Sequence, residues 1–404
     1  MSLAPGAAEI GADQLDRLRR DTLGIDDWLH FDNAGASPSP LPVHRRIVRH
    51  LEREREIGGY AAEREAEAEL AGLYDGIAAL IGAQRDEIAF AESATRAWDM
   101  AFYGIRLAPG DRILTGRAEY SSNYLAFLHV AQRDGVVIDI VPDGEDGTLD
   151  VAALAARLDE RTKVVNVCHV PTSNALITDV EAVGAVLKDH PALYIVDACQ
   201  SIGQREIDVR RIGCDVLSAT GRKYLRGPRG TGFLYVNKSA FAHVPPAFVD
   251  IRAADWIAAD RFALRADARR YESWESAIAA RLGLKEAVDY ALEIGMAAIE
   301  ARIGWLAERL REALARCQGV RLLDRGTMRS GIVTFVVDGR DSIELRERLN
   351  RRKIALTAIE RADARLDLEC QPCAAILRAS VHCFNTESEI ARFVDELSAA
   401  VEAR

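Results

Sequence analysis

The middle of the chain, from about residue 60 to 285, alternates helical segments with short apolar strands, and this alternation constrains the fold most strongly. The strands that we predict are Arg112–Thr115, Val136–Val141, Val164–Cys168, Leu193–Val196, Val216–Ala219 and Phe233–Val236. Strands that are apolar along nearly their whole length are buried on both faces. The sequence therefore predicts an α/β fold whose mostly parallel sheet is covered by helices on both sides.

The segments on either side of this region have different patterns. Residues from about 12 to 28 predict a polar helix and a turn, and a charged helix follows from Val43 to about Ile57. Beyond about residue 290, a long helix (Ala297 to about Ala315) precedes strands at Ile332–Val337 and Ile376–Val381. We predict three parts: an N-terminal segment (1–28) that packs on the small domain, a large domain (29–288) and a small C-terminal α+β domain (289–404).

The composition of the chain argues against several classes of protein. The formal net charge of −10 disfavours a nucleic-acid or anionic-membrane partner, because phosphate groups need a basic surface. Seven scattered cysteines do not suggest a disulfide framework, and no apolar run approaches the roughly 18 residues of a transmembrane helix. We therefore expect a cytoplasmic protein that binds neither nucleic acid nor membrane.

Two polar residues stand at the carboxyl ends of apolar strands in the predicted sheet. Asp197 ends the run that begins at Tyr194, and Lys223 follows the run that begins at Leu217, before a glycine-rich turn. Ligands of open α/β sheets bind outside the carboxyl ends of the strands. A lysine and a carboxylate at that edge suit pyridoxal phosphate (PLP): the lysine can bond to the cofactor's aldehyde, and the carboxylate can keep the pyridine nitrogen protonated.

Both runs resemble the class V aminotransferase family of fold-type I PLP enzymes, and the resemblance covers nearly the whole chain. It implies a seven-stranded sheet in the large domain, PLP as the cofactor, an amino acid as the substrate and a homodimer. Lys223 matches the lysine that carries the cofactor, Asp197 the partner of the pyridine nitrogen, and Gln200 the residue hydrogen-bonded to the ring oxygen. Thr220 and Arg222 fall where the family contacts the phosphate, although the family's desulfurases carry histidine at the second position.

Two further segments match places where the family holds the cofactor. Glu92–Thr95 opens a helix, and a helix start is either an anion site or a plain N-cap. The resemblance implies the PLP phosphate here, with Ala94 and Thr95 as contacts. Tyr120 matches the aromatic residue that stacks on the ring, where desulfurases have histidine. Tyrosine is a poor acid or base near neutral pH, so it is a stacking residue rather than a proton relay; the alternative is an aromatic residue at the edge of the core.

Three other matches concern the substrate and the subunit boundary. Asn174 matches an asparagine that faces cofactor and substrate, although it could also be a turn residue. Arg378 matches the arginine that clamps the substrate α-carboxylate, and an arginine between apolar strand residues is costly without an anion. Residues 270–276 align with the loop that reaches a neighbour's PLP phosphate, with Glu275 where the family has a hydroxyl residue.

The type of reaction is less constrained than the cofactor. Desulfurases need a nucleophilic cysteine on a loop shortly before the carboxylate arginine, and the matching stretch 360–365 has none. Cys370 and Cys373 are nearer the strand, and with no second pair they suggest two partly buried thiols rather than a metal site. Several details resemble the C–S lyase of ergothioneine biosynthesis more than the desulfurases: residues 58–60, Tyr120, Arg222 and residues 360–362. We therefore predict β-elimination on a cysteine-derived substrate, with desulfuration, epimerisation and transamination as the alternatives.

Overall fold

The structure is a computed structural model that describes residues 9–369 and 373–402. The strands are β1 (Leu29–His30), β2 (Ile88–Ala91), β3 (Arg112–Thr115), β4 (Val137–Ile140), β5 (Thr162–Cys168), β6 (Leu193–Asp197), β7 (Val216–Thr220), β8 (Gly232–Val236), β9 (Ala254–Ala258), β10 (Arg261–Leu264), β11 (Val320–Leu322), β12 (Ile332–Val337), β13 (Ile354–Ala355), β14 (Thr357–Glu360) and β15 (Ala375–Ser380). The α-helices are α1 (Ala12–Arg20), α2 (Asn33–Ala36), α3 (Leu41–Ile57), α4 (Gly59–Glu65), α5 (Glu67–Ile81), α6 (Ala94–Phe102), α7 (Ser121–Asp134), α8 (Val151–Arg157), α9 (Val180–Leu187), α10 (Val209–Ile212), α11 (Ile278–Ile294), α12 (Met296–Ala315), α13 (Ser342–Arg351), α14 (Arg365–Leu368) and α15 (Glu387–Glu402).

The central sheet has seven strands in the order β2-β8-β7-β6-β5-β3-β4. The pairs from β7 through β6, β5 and β3 to β4 are all parallel, and β8 is antiparallel to both of its neighbours. The mostly parallel seven-stranded sheet expected from the sequence is therefore confirmed. The six predicted strands agree with the observed ones to within two residues at each end.

Both faces of the sheet are covered, which is why its strands are apolar at successive positions. Alternate residues of one strand enter different apolar clusters: Val216 packs on one face with Leu234, and Leu217 packs on the other with Tyr235. Every residue of β6, β7 and β8 is buried. The carboxyl ends of β5, β6 and β7 lie in register, with Cys168 beside Asp197 and Asp197 beside Ser218. The polar strand ends therefore converge at one edge of the sheet.

A second sheet near the C-terminus has four antiparallel strands in the order β11-β12-β15-β14. It places Arg378 of β15 between Thr334 and Thr357. The segment after α1 joins this region, because β1 pairs with β13 and Asp32 forms a bridge with Ser380. The small α+β unit predicted after residue 290 is present. The predicted boundary at 288 falls inside α11, so the proposed division of the chain stays a prediction.

The ends of the chain follow their local signals. A capping box opens α15: the Glu389 carboxylate accepts from the Thr386 N–H (3.1 Å), and the Thr386 hydroxyl accepts from the Glu389 N–H (3.3 Å). At the other end, the predicted helix and turn are present: the helix ends at Arg20, and turns follow in which Gly24 adopts φ 83°. Within the described residues, no helix is both long and apolar enough to span a bilayer.

Candidate active site

A cavity of about 550 Å³, including its open mouth, lies at the carboxyl edge of the central sheet. It is lined by Ser93, Ala94, Thr95, Tyr120, Asn123, Cys168, Val170, Thr172, Asp197, Cys199, Gln200, Thr220, Arg222 and Lys223. Most of the cofactor residues predicted from the sequence are thus brought together; Asn174 and Arg378 do not line it.

Lys223 is the nucleophile that the cavity offers. Its side chain is buried, and burial lowers the pKa of its ammonium group. The positive charges of Arg222 and Arg378 act in the same direction, whereas Asp197 opposes them. A lowered pKa favours the neutral amine, which is the form that attacks an aldehyde or accepts a proton.

Asp197 is held with both carboxylate oxygens in fixed positions. One oxygen accepts from the backbone N–H of Cys199 at 2.9 Å, and the other accepts from the side-chain amide of Asn123 at 3.0 Å. These two hydrogen bonds orient the carboxylate at the end of β6, where it can face a protonated ring nitrogen.

The start of α6 forms another wall of the cavity. Ser93 caps this helix, its hydroxyl accepting from the Arg96 N–H, and Ala94 and Thr95 supply the first turn. β8 approaches so closely that a Cβ at Gly232 would lie 2.8 Å from the Ala94 nitrogen. Free N–H groups at a helix start suit a phosphate. Thr220 and Arg222 line the same cavity, and the Arg222 guanidinium donates to the Gly35 carbonyl.

The Tyr120 ring and the Gln200 amide complete the wall of the cavity. The Tyr120 ring centroid lies 5.9 Å from the Lys223 Nζ, and burial raises the pKa of its phenol, which stays protonated at neutral pH. Gln200 donates to the Ala34 carbonyl (3.0 Å) and to the Thr172 hydroxyl (3.2 Å). Its buried Oε1 has no hydrogen-bond partner among the described residues, so this amide has capacity left for a ligand.

Arg378 lies beside the cavity and contacts it through Thr172. Its Nη1 donates to the Thr172 hydroxyl at 2.6 Å, and its Nη2 donates to the Asp32 carboxylate at 3.0 Å. Thr357 also donates to Asp32, at 2.7 Å. The buried guanidinium therefore has a carboxylate of its own, a partner that the sequence did not indicate. Its Nε has no partner among the described residues.

The structure does not bring the Asn174 side chain to the cavity. Its amide donates to the Asp367 carboxylate at 2.7 Å, and its Oδ1 accepts from the Leu176 N–H at 2.8 Å. Ser173 donates to the same carboxylate at 2.5 Å, and Arg325 pairs with it. Asn174 thus anchors the segment 361–369, and its role toward cofactor and substrate stays a prediction.

That segment lies near the cavity and has no cysteine. The Ser121 hydroxyl, next to Tyr120, donates to the Asp363 carbonyl at 2.6 Å, and the Arg117 guanidinium donates to the Leu366 carbonyl at 3.0 Å. Cys373 is half-buried against an apolar cluster of the small sheet and does not line the cavity. Cys370 falls outside the described residues.

Two thiols that sequence reasoning did not consider line the cavity: Cys168 at the end of β5 and Cys199 after β6. Burial raises the pKa of both thiols, and the charge of Asp197 raises it further. Both are therefore thiols rather than thiolates at neutral pH, which makes them poor nucleophiles.

These residues fit PLP. A buried lysine with a lowered pKa can hold the aldehyde, Asp197 can face the ring nitrogen, and Tyr120 can face the ring. The start of α6, with Thr220 and Arg222, offers donors for the phosphate, and the unpartnered amide oxygen of Gln200 shows that polar capacity is left in the pocket. The fold and this pocket define the class: a PLP-dependent enzyme of fold type I.

Comparisons with known proteins identify the family within that class. The family model described as aminotransferase class V matches residues 29–393, and the chain belongs to this family. The chain is 29% identical over 385 residues to a probable cysteine desulfurase of Methanothermobacter thermautotrophicus, covering 92% of this chain and 94% of the relative. It is also 29% identical to a probable cysteine desulfurase of Halobacterium salinarum, covering 95% of this chain and 93% of that protein. Among solved structures, it resembles the apo form of a cysteine desulfurase from Thermococcus onnurineus NA1, with a TM-score of 0.89, 25% identity and coverage of 96% and 98%.

Three residues around the site were not singled out from the sequence: Asp32, Thr172 and Glu119. Asp32 lies in a run that reads as a loop of turn formers, and Thr172 lies in the run that was read for Asn174. Glu119 directly precedes Tyr120, and its role depends on residues far away in the sequence. The one available signal was the polar run around Asp32, which could have suggested a carboxylate partner for the buried Arg378.

Proposed function

We propose that this PLP-dependent enzyme acts on cysteine or a cysteine-derived amino acid and breaks its Cβ–S bond. The observation that carries the proposal is the meeting of Lys223, Asp197 and a helix start in one cavity, in a chain whose relatives bear the name of cysteine desulfurases. When bound, PLP supplies an aldehyde for the substrate amine and a ring that accepts the electron pair released at Cα.

Lys223 is proposed to serve twice. It holds the cofactor before the substrate arrives, and its neutral amine then accepts the proton from the substrate Cα. Burial supports both roles because it lowers the pKa of Lys223. Asp197 keeps the proton on the ring nitrogen, since two hydrogen bonds fix its carboxylate in the cavity wall.

Arg378 is proposed to bind the substrate carboxylate. Its pairing with Asp32 and Thr172 fixes the guanidinium plane beside the cavity, next to Thr172 of the cavity wall. The unpartnered Nε is a further donor on the same guanidinium. A planar guanidinium selects carboxylates by its paired N–H groups, which a lysine at this position would not reproduce.

The names of the relatives make desulfuration the first candidate reaction. A protein thiolate attacks the substrate sulfur and forms an S–S bond, the Cβ–S bond breaks, and Cβ takes a proton. The products are alanine and a protein persulfide. This reaction needs a thiol that reaches the substrate sulfur. In the sequence, Cys370 and Cys373 are the cysteines nearest to the stretch 360–365, where desulfurases carry their nucleophile.

One observation favours elimination as the second candidate. Segment 361–369, which is held against Ser121 and Asn174, has Asp363 and Arg365 where a desulfurase would have its cysteine. In elimination, Lys223 takes the Cα proton, the Cβ–S bond breaks and the sulfur leaves with the electron pair. The enamine product hydrolyses to pyruvate and ammonia, and no protein thiol is required.

A product assay separates the two candidates. The purified protein loaded with PLP is incubated with cysteine, cystine and cysteine S-conjugates, and the products are quantified. Alanine with a persulfide that disappears in Cys370→Ser or Cys373→Ser establishes desulfuration. Pyruvate and ammonia in equal amounts, unchanged by both substitutions, establish elimination. Cα inversion alone, or conversion of PLP to its amine form, would refute C–S bond cleavage.

We also propose that the enzyme is a homodimer. The hairpin of β9 and β10 exposes large apolar side chains, with Trp256 80% and Phe262 60% accessible, and Trp274 in the predicted interface loop is also exposed. An apolar patch of this kind on a water-soluble surface is typical of a protein interface. The second copy is the proposed occupant, in agreement with the expectation for residues 270–276.

A further inference from the structure

A buried carboxyl group that the proposed reaction does not use lies directly behind Asp197. Glu119 is buried between β3, β5 and the start of α7, and the Asn123 amide joins it to Asp197. The Nδ2 of Asn123 donates to Glu119 at 2.9 Å and to Asp197 at 3.0 Å. Two carboxyl groups therefore share one amide nitrogen at the base of the cavity.

The hydrogen bonds around Glu119 come from donors on every side. One oxygen accepts from Asn123 and from the Tyr120 N–H (2.8 Å); the other accepts from the Thr115 hydroxyl and the Asn166 amide (both 2.7 Å). The amide of Asn166 cannot turn round, because its Oδ1 accepts from the indole N–H of Trp98 at 3.0 Å. Such a shell stabilises a carboxylate.

Thr115 is the one member of this shell that can reverse its hydrogen bond. A hydroxyl can accept as well as donate, whereas the N–H groups of Tyr120, Asn123 and Asn166 can only donate. The shell can therefore hold Glu119 either as a carboxylate or as an acid whose proton points to Thr115. The site is built for two protonation states.

Charges around Glu119 decide between these states. Burial, together with the negative charge of Asp197, raises the pKa of Glu119 to about 7 despite its hydrogen bonds. Other titratable and charged groups surround this network in three places. Cys168, Cys199 and Lys223 lie around Asp197, and Tyr120 follows Glu119 in the chain. Arg117 and Asp143 line a second cavity, and Arg325 pairs with Asp143. Among these groups, Asp197 is the closest negative charge, since one amide separates the two carboxyls.

We propose that Glu119 is a positioning residue for the cofactor: it acts through Asn123 as a second carboxyl group behind Asp197, and it releases a proton when a protonated ring nitrogen pairs with Asp197. The inference rests on the proposed use of PLP. A positive ring nitrogen offsets the charge of Asp197, which removes the main charge that keeps the Glu119 proton in place. The released carboxylate then adds a second negative charge behind the ring nitrogen and helps to keep it protonated.

We expect the released proton to leave through a second cavity. Glu119 also borders a separate cavity of about 310 Å³, which is lined in addition by Gly116, Arg117, Asp143 and Cys168. This cavity lies next to the one proposed for the cofactor and shares Cys168 with it.

The test is the pH dependence of PLP binding to the cofactor-free protein, followed by the cofactor's absorbance from pH 6 to 8. If cofactor binding lowers the pKa of Glu119 from about 7, linkage makes the dissociation constant tighter at pH 8 than at pH 6, by up to about tenfold for one released proton. Glu119→Gln should lose this tenfold change, whereas Glu119→Asp, which keeps a carboxyl group, should retain a pH-dependent part of it.

The matched control is Asp99→Asn. Asp99 is a half-buried carboxyl group on α6 whose pKa is also raised by burial, but it neither lines the cavity nor contacts Asp197. This variant should keep the tenfold change. A pH dependence that is the same in wild type and Glu119→Gln would overturn the role of Glu119 while leaving the proposed function intact. A wild-type protein that binds no PLP at any pH would instead refute the proposed function.

A second measurement covers the case in which Glu119→Gln does not fold. Infrared difference spectra of the wild-type protein at pH 6 should contain the C=O band of a buried protonated carboxyl group, and that band should disappear when PLP is added. A band that persists after PLP binding, or that is absent from the cofactor-free protein, would contradict the proposal.

Discussion

At the scale of single residues, we expect that a side chain of the same size cannot replace Asp197, because its carboxylate is needed for turnover. Its two oxygens accept from the Cys199 N–H and from Asn123. Asp197→Asn removes the negative charge. It also replaces one accepting oxygen with an NH2 group, which cannot accept a hydrogen bond from Asn123 or from the Cys199 N–H. We expect PLP to bind still, because Lys223 is intact, and turnover to fall by roughly 100-fold or more, as when a key electrostatic contact is removed.

Steady-state kinetics and the absorbance of the bound cofactor check this prediction for Asp197→Asn. The exposed Asp189→Asn is the control and should leave both readings unchanged. An Asp197→Asn enzyme that turned over at the wild-type rate would show that Asp197 does not face the ring nitrogen.

Single residues also mark the limit of inference from the sequence. Lys223 and Asp197 could be recognised because both follow apolar strands, and parallel strands bring their carboxyl ends to one edge. Asp32 and Glu119 could not be recognised, because their links depend on long-range contacts. Asp32 pairs with Arg378 across 346 positions, and Asn123, which contacts Glu119, reaches Asp197 across 74 positions. Asn174 matched a motif, yet its amide donates to the carboxylate of Asp367, a residue that no local sequence pattern connects to it.

At the scale of elements, the close approach of β8 to the start of α6 shapes the proposed phosphate site. A Cβ at position 232 would lie 2.7 Å from the Ala219 carbonyl oxygen and 2.8 Å from the Ala94 nitrogen. Because backbone atoms on both sides cannot give way, Gly232→Ala should destabilise the protein by about 1–3 kcal/mol and weaken PLP binding.

Chemical denaturation and a PLP titration measure the two effects of Gly232→Ala. Gly304→Ala, inside α12, is the matched control, since a Cβ there meets nothing within 4 Å. It should stabilise the protein by about 0.4–1 kcal/mol and leave PLP affinity unchanged. Equal behaviour of the two variants would contradict the steric argument.

A second element-scale prediction concerns His382, in the turn between β15 and α15. Its Nε2–H donates to the Tyr224 carbonyl at 2.9 Å, and its Nδ1 accepts from the Cys383 N–H at 2.8 Å, so the ring is neutral. Burial and the positive charge of Arg226 lower the pKa of His382 to about 3. The unfolded histidine keeps its usual pKa near 6.5, so its stabilising contribution is complete above that pH and is lost on acidification toward pH 3, by up to about 1.4 kcal/mol per pH unit.

Unfolding curves between pH 4 and 8 check this dependence. His382→Gln should be less stable than wild type at pH 7.5, because it disturbs both hydrogen bonds, but its stability should fall less on acidification. His169 is also buried with a pKa lowered to about 3, so part of the acid sensitivity should remain in the variant. A steeper acid dependence in His382→Gln than in wild type would contradict the prediction.

The elements themselves were largely predictable from the sequence. Strands buried on both faces leave continuous apolar runs, so their type and order could be read with errors of one or two residues. The polar helix and turn predicted over residues 12–28 were found as well: the helix ends at Arg20, and Gly24 takes a left-handed conformation in the turns that follow. The two-residue strands β1 and β13 were missed because they are defined by their pairing with each other and carry no pattern of their own.

At the scale of the whole molecule, the exposed hairpin of β9 and β10 predicts assembly. Trp256 and Phe262 are register partners on this hairpin and are both highly exposed. We expect the protein to be a dimer by light scattering at micromolar concentration. Trp256→Ser with Phe262→Ser should shift it to monomer, because the interface loses two large apolar anchors. Trp305→Ser, on the surface of α12, is the control and should remain dimeric. A dimer that survived the double substitution would place the interface elsewhere.

The central claim for the whole molecule is that PLP is held by Lys223 in the cavity at the sheet edge. The direct measurement is borohydride reduction of the PLP-loaded protein, followed by proteolysis and peptide mass spectrometry. The cofactor should become fixed to the peptide that contains Lys223, and Lys223→Ala should lose both the label and turnover. A label on Lys163, Lys188, Lys238, Lys285 or Lys353, or a fully active Lys223→Ala enzyme, would contradict the assignment of the site.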